Sequence, residues 1–365
     1  MLVRKLTYYN FRNLPTLEWE PGPGFNILWG NNAQGKTNLL EGIYLLANLK
    51  SFRAGRIEEL IRHGEEQARI SAQLQGAGVA HQLAFSVTSS GRSYLFDGKP
   101  LSRLEQLVGS LRAILFTPEE ITVLRSSPQA RRALLDRAIF QSQPSHLGRV
   151  QKYDKILRQR NVLLRQGAPQ AQLQPWTEAL IEAGAALRHR RGEFIVEFLP
   201  WFSNASVAIG GNDEAVTLNY PEGHAGEAEL RQRLARDLEQ TAGRERAQGQ
   251  TQTGPHRDDL HFVIAGKPLR QYGSQGQLRT ALLAFKVAQL ALLEQQVGHP
   301  PVLLLDDMTS ELDRERQERL FSYLQRSKGQ VFITTTAPAA FLADILCGAV
   351  SHRVAQGRLY SDQGP

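Results

Sequence analysis

The stretch GNNAQGKT, from Gly30 to Thr37, matches the phosphate-binding pattern G-x-x-x-x-G-K-[ST]. It follows the apolar run Phe25–Trp29, which predicts a strand, and it opens a segment with apolar residues at helical spacing up to Leu49. In that order, backbone N–H groups and the positive end of the helix dipole surround an anion. An ordinary glycine-rich turn is the alternative, but a chance match in the correct strand–loop–helix context is uncommon. We therefore expect a nucleoside triphosphate site here.

Two residues of this loop have specific expected roles. Lys36 reaches the β- and γ-phosphate oxygens, and Thr37 offers its hydroxyl to Mg²⁺. The implied cofactors are ATP and Mg²⁺. The rest of the loop wraps the phosphates, and its residues are Gly30, Asn31, Asn32, Ala33, Gln34 and Gly35.

A second apolar run, Leu303–Leu305, ends in Asp306 and Asp307. The run predicts a buried strand, and ligands of open α/β sheets bind at the carboxyl ends of strands. We expect this strand to neighbour the strand before the phosphate loop. Asp306 would then hold Mg²⁺ through water, and Asp307 would orient or deprotonate the attacking water. An ordinary strand end, with aspartates as turn and cap residues, is the alternative.

The sequence Tyr272-Gly-Ser-Gln-Gly-Gln277 leads into a long amphipathic segment, to about Gln295. Ser274 followed by Gln277 is a capping-box pattern, so Ser274, Gln275 and Gly276 form a helix N-terminus that attracts phosphate. One compact site does not need two helix N-termini on one γ-phosphate. We therefore interpret this terminus as facing a nucleotide held by a second copy of the chain. Taken alone, Ser274 is more often only a helix cap.

Composition limits the class of protein. The 365 residues, 41% hydrophobic and 22% charged, fit two globular domains, or one large domain with a subdomain. The only cysteine, Cys347, excludes a disulfide framework and a cysteine-based zinc cluster. The sequence contains no apolar run of about 18 residues and begins without a secretory signal pattern, so we expect a soluble intracellular protein.

Positive charge is concentrated in one segment. The net charge is +7, and residues 125–165 contain ten basic but only two acidic residues. A basic stripe attracts polyanions, nucleic acid first among them, although a solvated helix face is an equally weighted alternative. The candidate DNA contacts are Arg131, Arg132, Arg149, Lys152 and Arg158.

Periodicity predicts an α/β chain interrupted by a helical insertion. Three short strands, Arg69–Leu74, His81–Val87 and Arg92–Phe96, predict an antiparallel sheet beside the parallel one. The pattern is mainly helical from Pro128 to about Leu238 and predicts a short helical arm, with one helix starting near Pro175. We expect an ATPase domain split between residues 1–125 and 245–365, and a helical lobe at 126–244, with a polar loop at 244–254.

Together these motifs resemble the ATP-binding-cassette ATPases of the SMC-type repair branch, at both ends of the chain. The segment Phe11–Asn13 resembles the arginine loop of that branch and implies that Arg12 contacts the nucleotide. Ser274–Gln277 resembles its signature motif, Asp306-Asp307 its Walker B motif, and Ser310–Asp313 the D-loop that crosses the dimer interface.

Within that branch the chain is most similar to the RecF family of recombination mediators. The length supports this, as do the segments Asn38–Glu41, Ser51–Arg53, Pro128–Arg132, Leu135-Asp136 and Gly254–Leu260. The resemblance adds Asn38 to the nucleotide contacts. It implies ATP-driven dimerisation on duplex DNA near single-strand gaps, a RecR-type mediator as partner, and loading of recombinase onto single strands in recombinational repair and replication restart.

The chain departs from the cassette pattern in two places. Asp307 stands where many cassette ATPases have glutamate, and Thr334–Thr336 stands where many have a switch histidine. We therefore expect slow hydrolysis. The Q-loop glutamine has no clear counterpart, although Phe116–Glu119 lies in about its place. We interpret His256–Asp259 as a polar turn and strand start, not as catalytic residues.

Two other function classes are compatible with a phosphate loop. The ATPase subunit of a membrane transporter shares the loop and the signature motif, but its basic residues are not gathered on an arm. A small-molecule kinase would not need the Ser274 motif. ATP-dependent duplex binding without a membrane partner distinguishes the leading interpretation from the transporter subunit.

Overall fold

The computed structural model describes residues 2–76, 79–101, 111–211, 214–221, 225–307, 313–327, 329–336 and 348–361. Contacts within the chain divide it into two compact units. The first unit comprises Met1–Ile121, Ala208–Gly210 and Leu282–Pro365, and the second comprises Thr122–Val207 and Gly211–Ala281. The domain limits expected from the sequence, 1–125 with 245–365 and 126–244, stay a prediction.

The described strands are β1 (Leu2–Phe11), β2 (Leu14–Trp19), β3 (Phe25–Trp29), β4 (Gln67–Gly76), β5 (Val79–Thr88), β6 (Gly91–Phe96), β7 (Lys99–Pro100), β8 (Ala113–Phe116), β9 (Val216–Asn219), β10 (His261–Ile264), β11 (Lys267–Pro268), β12 (Val302–Leu305), β13 (Val331–Thr335), β14 (Val350–Ala355) and β15 (Arg358–Ser361). The described helices are α1 (Lys36–Asn48), α2 (Pro118–Arg125), α3 (Pro128–Ser142), α4 (His146–Arg165), α5 (Gln170–Gly210), α6 (Glu227–Gln248), α7 (Leu269–Tyr272), α8 (Gln275–Val297) and α9 (Arg314–Arg326). A 3₁₀ turn at Ile57–Leu60 follows α1.

The first unit contains a six-stranded sheet in the order β15-β14-β3-β13-β12-β8, parallel except for the edge pair β14–β15. Strand β12 is buried at all its positions, as in parallel sheets covered on both faces. The expectation that β12 neighbours β3 is wrong, because β13 lies between them. Since β13 is also buried throughout, its hydrophobicity does not distinguish it from β12, and the pattern could not order the two strands.

The same unit contains an antiparallel sheet in the order β2-β1-β4-β5-β6-β7, which confirms the three short strands predicted between Arg69 and Phe96. Two tyrosines of this sheet hold α1. The Tyr8 hydroxyl of β1 donates to the Leu39 carbonyl at 2.7 Å, and the Tyr94 hydroxyl of β6 donates to the Leu49 carbonyl at 3.0 Å. The helix behind the phosphate loop is therefore tied to the antiparallel sheet near both of its ends.

The second unit is mainly helical. Helices α4, α5 and α6 pack around a core that includes Tyr153, Leu180, Leu187, Leu234 and Leu238. A three-stranded sheet in the order β11-β10-β9 belongs to the same unit. The helical character predicted for this region is therefore confirmed.

Two helices in this region are longer than expected. Helix α5 begins at Gln170, not near Pro175, and has 41 residues, which makes it about 60 Å long. Pro175 is the sixth residue of α5, where it removes the hydrogen bond to the Ala171 carbonyl, and the helix nevertheless continues through it and through Pro200. Helix α6 continues to Gln248, into the predicted polar loop. Its last turn is held by an ion pair between Glu245 and Arg160 at 2.7 Å, which periodicity cannot reveal.

Buried ion pairs run through the second unit. Arg191 donates two hydrogen bonds to Asp136, at 2.9 and 2.8 Å. Arg188 donates to Asp258 at 2.7 Å, and the Tyr220 hydroxyl donates to the other oxygen of that carboxylate at 2.8 Å. Because each charge is matched and hydrogen-bonded, the interior tolerates groups that would otherwise carry a large desolvation penalty.

These contacts anchor the segment around His256–Asp259, which is predicted from the sequence to be a polar turn and strand start. His256 Nε2–H donates to the Thr251 carbonyl at 3.1 Å, and its Nδ1 accepts from the Tyr153 hydroxyl at 2.7 Å. Burial lowers the pKa of His256 to about 4. Residues 255–257 form the predicted turn, whereas the strand β10 begins only at His261, two residues after Asp259.

Replacing Arg191 with methionine tests the buried ion pairs. Burial alone would raise the pKa of Asp136, but the Arg191 charge and the hydrogen bonds from His146 and Arg191 lower it to about 2. In Arg191→Met this carboxylate loses its charged partner, and we expect the free energy of unfolding at pH 7 to fall by about 3–5 kcal/mol. Chemical denaturation measures the change.

The lowered pKa of Asp136 also predicts how the stability of the fold changes with pH. Because Asp136 has a lower pKa in the folded chain than its ordinary value of 3.8, its ionised form stabilises the fold above about pH 4, and that stabilisation is lost as the pH falls towards 2. Arg191→Met should weaken this acid dependence. The matched control is Arg231→Met, whose ion pairs are exposed and contribute about 0–1 kcal/mol. Equal losses in the two variants would contradict the prediction.

Candidate nucleotide-binding site

The phosphate loop lies where the sequence predicts it, between the end of β3 at Trp29 and the start of α1 at Lys36. The Lys36 ammonium donates to the carbonyls of Gly30 at 2.6 Å and Asn31 at 2.8 Å. Burial lowers the pKa of Lys36, while the charges of Asp307 and Asp306 oppose that shift. The lysine side chain is therefore folded over the loop, with two of its three N–H groups on loop carbonyls.

The two residues expected to hold Mg²⁺ lie in contact. The Thr37 hydroxyl donates to Asp306 Oδ1 at 2.9 Å, and the Thr334 hydroxyl of β13 donates to the same oxygen at 2.6 Å. Burial raises the pKa of Asp306, and these two hydrogen bonds oppose the increase. A hydroxyl beside a carboxylate is a pair of hard oxygen donors, which fits Mg²⁺ bound by one or two protein ligands plus phosphate oxygens and water.

Asp307 follows directly at the same edge of the sheet. Its backbone N–H donates to the Thr334 hydroxyl at 2.9 Å, and its φ of 46° lies in the left-handed region. Thr334, which belongs to the segment that stands where many cassette ATPases have a switch histidine, therefore hydrogen-bonds to both aspartates. Among the residues that the structure describes, no group of three or more His, Cys, Asp or Glu side chains could hold a metal ion.

Arg12 lies in the turn between β1 and β2, beside the start of α1. Its guanidinium donates to both oxygens of the fully buried Glu41 carboxylate, at 3.0 and 2.8 Å, and to the Glu59 carbonyl at 2.9 Å. These contacts fix the turn to α1. A direct contact between Arg12 and a nucleotide stays a prediction.

Arg53 is a site residue that the sequence motifs do not predict and that the structure brings to this site. Arg53 Nη1 donates to Asn38 Oδ1 at 2.9 Å, and Asn38 Nδ2 donates to Asn13 Oδ1 at 2.8 Å. The exposed Arg53 guanidinium is close enough to Asp306 for its charge to lower the pKa of that carboxyl. The signal was the segment Ser51–Arg53, which was noted only for its family resemblance.

Helix α8 begins with the capping box expected at Ser274. The Ser274 N–H donates to Gln277 Oε1 at 2.9 Å, and the Gln277 N–H donates to the Ser274 hydroxyl at 3.1 Å. Ser274 and Gln275 are exposed and Gly276 is half-buried. These residues belong to the second unit, whereas the phosphate loop belongs to the first.

The predicted basic surface divides into two groups. Arg131 is 2% exposed and donates to both oxygens of Asp259 at 2.7 Å, and the half-buried Arg132 donates to the Asp258 carbonyl at 2.5 Å. Both guanidinium groups are held inside the second unit by these contacts, which sequence charge counts cannot show. Most of the exposed cations of this basic segment lie on α4, and they are Arg149, Lys152, Lys155, Arg158 and Arg165; Arg125 on α2 and Arg137 on α3 are exposed as well.

Other predicted features fall outside the described residues or at the margin of the site. The described residues do not include the first three residues of the D-loop segment, from Ser310 to Leu312, or Cys347. Phe116 ends β8, and Glu119 is close enough for its charge to raise the pKa of Asp306. Among the described helices, none is both long and apolar enough to cross a lipid bilayer.

Comparison with known proteins identifies the family. Residues 2–353 match the family described as RecF/RecN/SMC N terminal domain. The chain is 42% identical to the DNA replication and repair protein RecF of Syntrophotalea carbinolica over 336 residues, covering 92% of this chain and 93% of that protein. It is 40% identical to the RecF of Geobacter sp. (strain M21), covering 98% of this chain and 100% of that protein.

Solved structures agree with the fold expected from the sequence. The structure of the recombination mediator protein RecF with ATP, in the RecFOR pathway, has a TM-score of 0.88 at 30% identity and covers 98% of this chain and 97% of that one. The Smc head domain of Pyrococcus furiosus has a TM-score of 0.58 at 15% identity, over 98% and 96% of the two chains, and this likeness shows the fold alone. The α/β fold class of a cassette-type ATPase head with a helical insertion is therefore confirmed, and the chain belongs to the RecF family within the RecF/RecN/SMC group.

Proposed function

We propose that the chain is an ATP-dependent DNA-binding switch of recombinational DNA repair and replication restart. The observation that carries the proposal is the contact between Thr37 and Asp306 at 2.9 Å. It joins the start of α1 to the carboxyl end of β12, beside the phosphate loop and Lys36. Support also comes from the relatives, which are named DNA replication and repair proteins, and from the RecF structure named as an ATP complex.

ATP binding is assigned to the phosphate loop and its helix. Backbone N–H groups and the dipole of α1 attract the phosphates, and Lys36 provides a localised positive charge. Thr37 and Asp306 would hold Mg²⁺, which neutralises phosphate charge when it is bound. Arg53 adds a cation at the same edge, and Arg12 supports the loop through Glu41.

Hydrolysis is assigned to Asp307, which orients the attacking water and accepts its proton. The aspartate side chain is one methylene shorter than the glutamate of many cassette ATPases, and Thr334 carries no imidazole for the γ-phosphate. Both features support slow turnover. ATP binding would therefore set the active state of the switch, and hydrolysis would end it.

Dimerisation follows from the separate helix terminus at Ser274. In our proposal, the N–H groups at the start of α8 face the γ-phosphate of ATP bound by a second copy of the chain. The exposure of Ser274 and Gln275 supports this role, since a terminus that serves another molecule must be accessible. One ATP molecule would then be bound by the phosphate loop of one chain and the α8 terminus of the other. Loss of the γ-phosphate would separate the two chains.

The exposed cations of α4 are the proposed DNA contacts. Arginine and lysine neutralise backbone phosphates without reading bases, so binding is largely independent of sequence and sensitive to salt. The RecFOR pathway named for the solved relatives supports action near gapped duplexes, with a RecR-type mediator as partner and recombinase loading as the outcome. No observation favours the transporter alternative.

Replacing Asp307 with asparagine should abolish turnover and leave ATP affinity within about twofold, because the amide cannot accept the proton but occupies the same volume. Phosphate release and fluorescent-ATP titration measure the two quantities. Glu239→Gln, an exposed charge change on α6, is the matched control and should keep both. Unchanged turnover in Asp307→Asn would remove Asp307 from the mechanism.

Replacing Ser274 with arginine should prevent the ATP-dependent dimer, because a bulky cation would occupy the helix terminus that receives the partner's phosphate. ATP binding to single chains should persist, whereas Lys36→Met should lose ATP binding itself. Light scattering with a non-hydrolysable ATP analogue reports the association. Ser274→Ala is the control, because it loses the same cap, worth about 1 kcal/mol, without the added bulk. A normal dimer in Ser274→Arg would refute the proposed shared site.

Replacing Arg149, Lys152 and Arg158 together with alanine should weaken duplex binding uniformly across sequences. If each neutralises one phosphate, the slope of log affinity against log salt should fall by about 2.7, at about 0.9 per contact. Fluorescence anisotropy at several salt concentrations gives the slope. The control replaces three exposed arginines of α9, namely Arg314, Arg319 and Arg326. An unchanged slope in the α4 variant would exclude this helix from the DNA interface.

A further inference from the structure

The turn between β14 and β15 is bonded to the phosphate loop. Its two central residues, Gln356 and Gly357, have φ values of 48° and 73°, as in the two-residue turns that join twisted antiparallel strands. The Gly357 N–H donates to the Gln34 carbonyl at 2.9 Å. The Gln356 N–H donates to the Gln34 side-chain oxygen at 2.7 Å. Gln34 of the phosphate loop therefore accepts hydrogen bonds from both central N–H groups of a turn that lies more than 300 residues later in the chain.

The approach of this hairpin leaves no room for a methyl group at two positions. A Cβ added at Gly357 would lie 2.4 Å from the Asn13 carbonyl oxygen, in the turn that contains Arg12. A Cβ added at Gly30, the first residue of the phosphate loop, would lie 2.4 Å from the Val354 carbonyl oxygen of β14. Both obstructing atoms are backbone atoms, which cannot rotate away. The hairpin backbone thus supports the loop at Gly30 as well as at Gln34.

These contacts explain what the side chain of Gln34 does. Its oxygen accepts from Gln356, and its nitrogen donates to the Asn32 carbonyl at 3.4 Å. The side chain therefore joins the hairpin to the middle of the loop. A phosphate cradle binds tightly when its N–H groups already point towards the anion, because no reorganisation is then required on binding.

We propose that Gln356 and Gly357 are positioning residues of the nucleotide site, which act through Gln34 to hold the phosphate loop in its binding conformation. Affinity for a nucleoside triphosphate then depends on a turn that does not itself contact the phosphates. This inference rests on the proposed function, since it requires that the loop binds ATP.

The structure provides a matched control for the test. The turn between β6 and β7 has the same conformation, with φ of 49° at Asp97 and 75° at Gly98, but a Cβ at Gly98 would meet nothing within 4 Å. Gly98→Ala and Gly357→Ala therefore introduce the same backbone strain in the same type of turn. The two variants differ because the turn at Gly357 contacts Asn13 and Gln34, whereas a Cβ at Gly98 meets nothing within 4 Å.

We expect Gly357→Ala to weaken ATP binding by roughly fivefold to tenfold, the effect of losing one or two hydrogen bonds. Gly98→Ala should keep the affinity of the unmodified chain, although both variants lose thermal stability. Titration with a fluorescent ATP analogue and thermal melting of the same samples measure the two effects. Equal affinities of the two variants would overturn the inference. Failure of the unmodified chain to bind ATP would instead overturn the proposed function, and the inference with it.

A second variant covers the case in which Gly357→Ala does not fold. Gln34→Met removes the oxygen that accepts from Gln356 and keeps the side-chain volume, and it should weaken ATP binding by roughly threefold to fivefold. Undiminished affinity in Gln34→Met would overturn the inference. Where both variants fold, the loss in the double variant should be smaller than the product of the single losses, because both act through one contact. Independent effects would show that Gln34 acts on ATP without the turn, which also overturns the inference.

Discussion

The Asp306 carboxylate connects three elements at the carboxyl edge of the parallel sheet. It follows β12, accepts from Thr37 at the start of α1, and accepts from Thr334 on β13. Burial disfavours its ionised form, and the two hydroxyls restore part of the lost solvation. The sheet brings the ends of β3 and β12 to one edge, and this one oxygen joins the start of α1 to the acidic strand end.

Three motifs could be predicted because each is short, local and tied to one chemistry. The phosphate loop, the buried strand before Asp306 and the capping box at Ser274 are confirmed as local structures. The order of the strands could not be predicted. Strands β12 and β13 are both short, apolar and buried, so only their long-range pairing distinguishes them. In the sequence, Thr334 drew attention only because many cassette ATPases have a histidine near this position. In the structure, its hydroxyl hydrogen-bonds to the Asp306 carboxylate and to the Asp307 backbone N–H.

The second unit was harder to predict because tertiary ion pairs determine much of it. Charge counting grouped Arg131 with the exposed cations of α4, although it is buried against Asp259. The end of α6 likewise depends on Glu245 and its contact with Arg160. Such pairs join residues about 85 to 128 positions apart, beyond the reach of any periodicity. The spacing of hydrophobic residues predicts the helices, whereas the polar contacts between the helices are visible only in the structure.

The hairpin at the end of the chain also sets the order in which the site can be completed during synthesis. Gln34 leaves the ribosome long before Gln356, and at about 5–20 residues per second the interval is roughly 15 to 65 seconds. During that time β3 also lacks both of its sheet neighbours, β13 and β14. A nascent chain therefore exposes an unpaired, apolar strand and an unsupported loop until β13, β14 and the Gln356–Gly357 turn have been synthesised. In our proposal, nucleotide binding becomes available only after this turn has been synthesised, and a chain that stops before it would be excluded from the active pool.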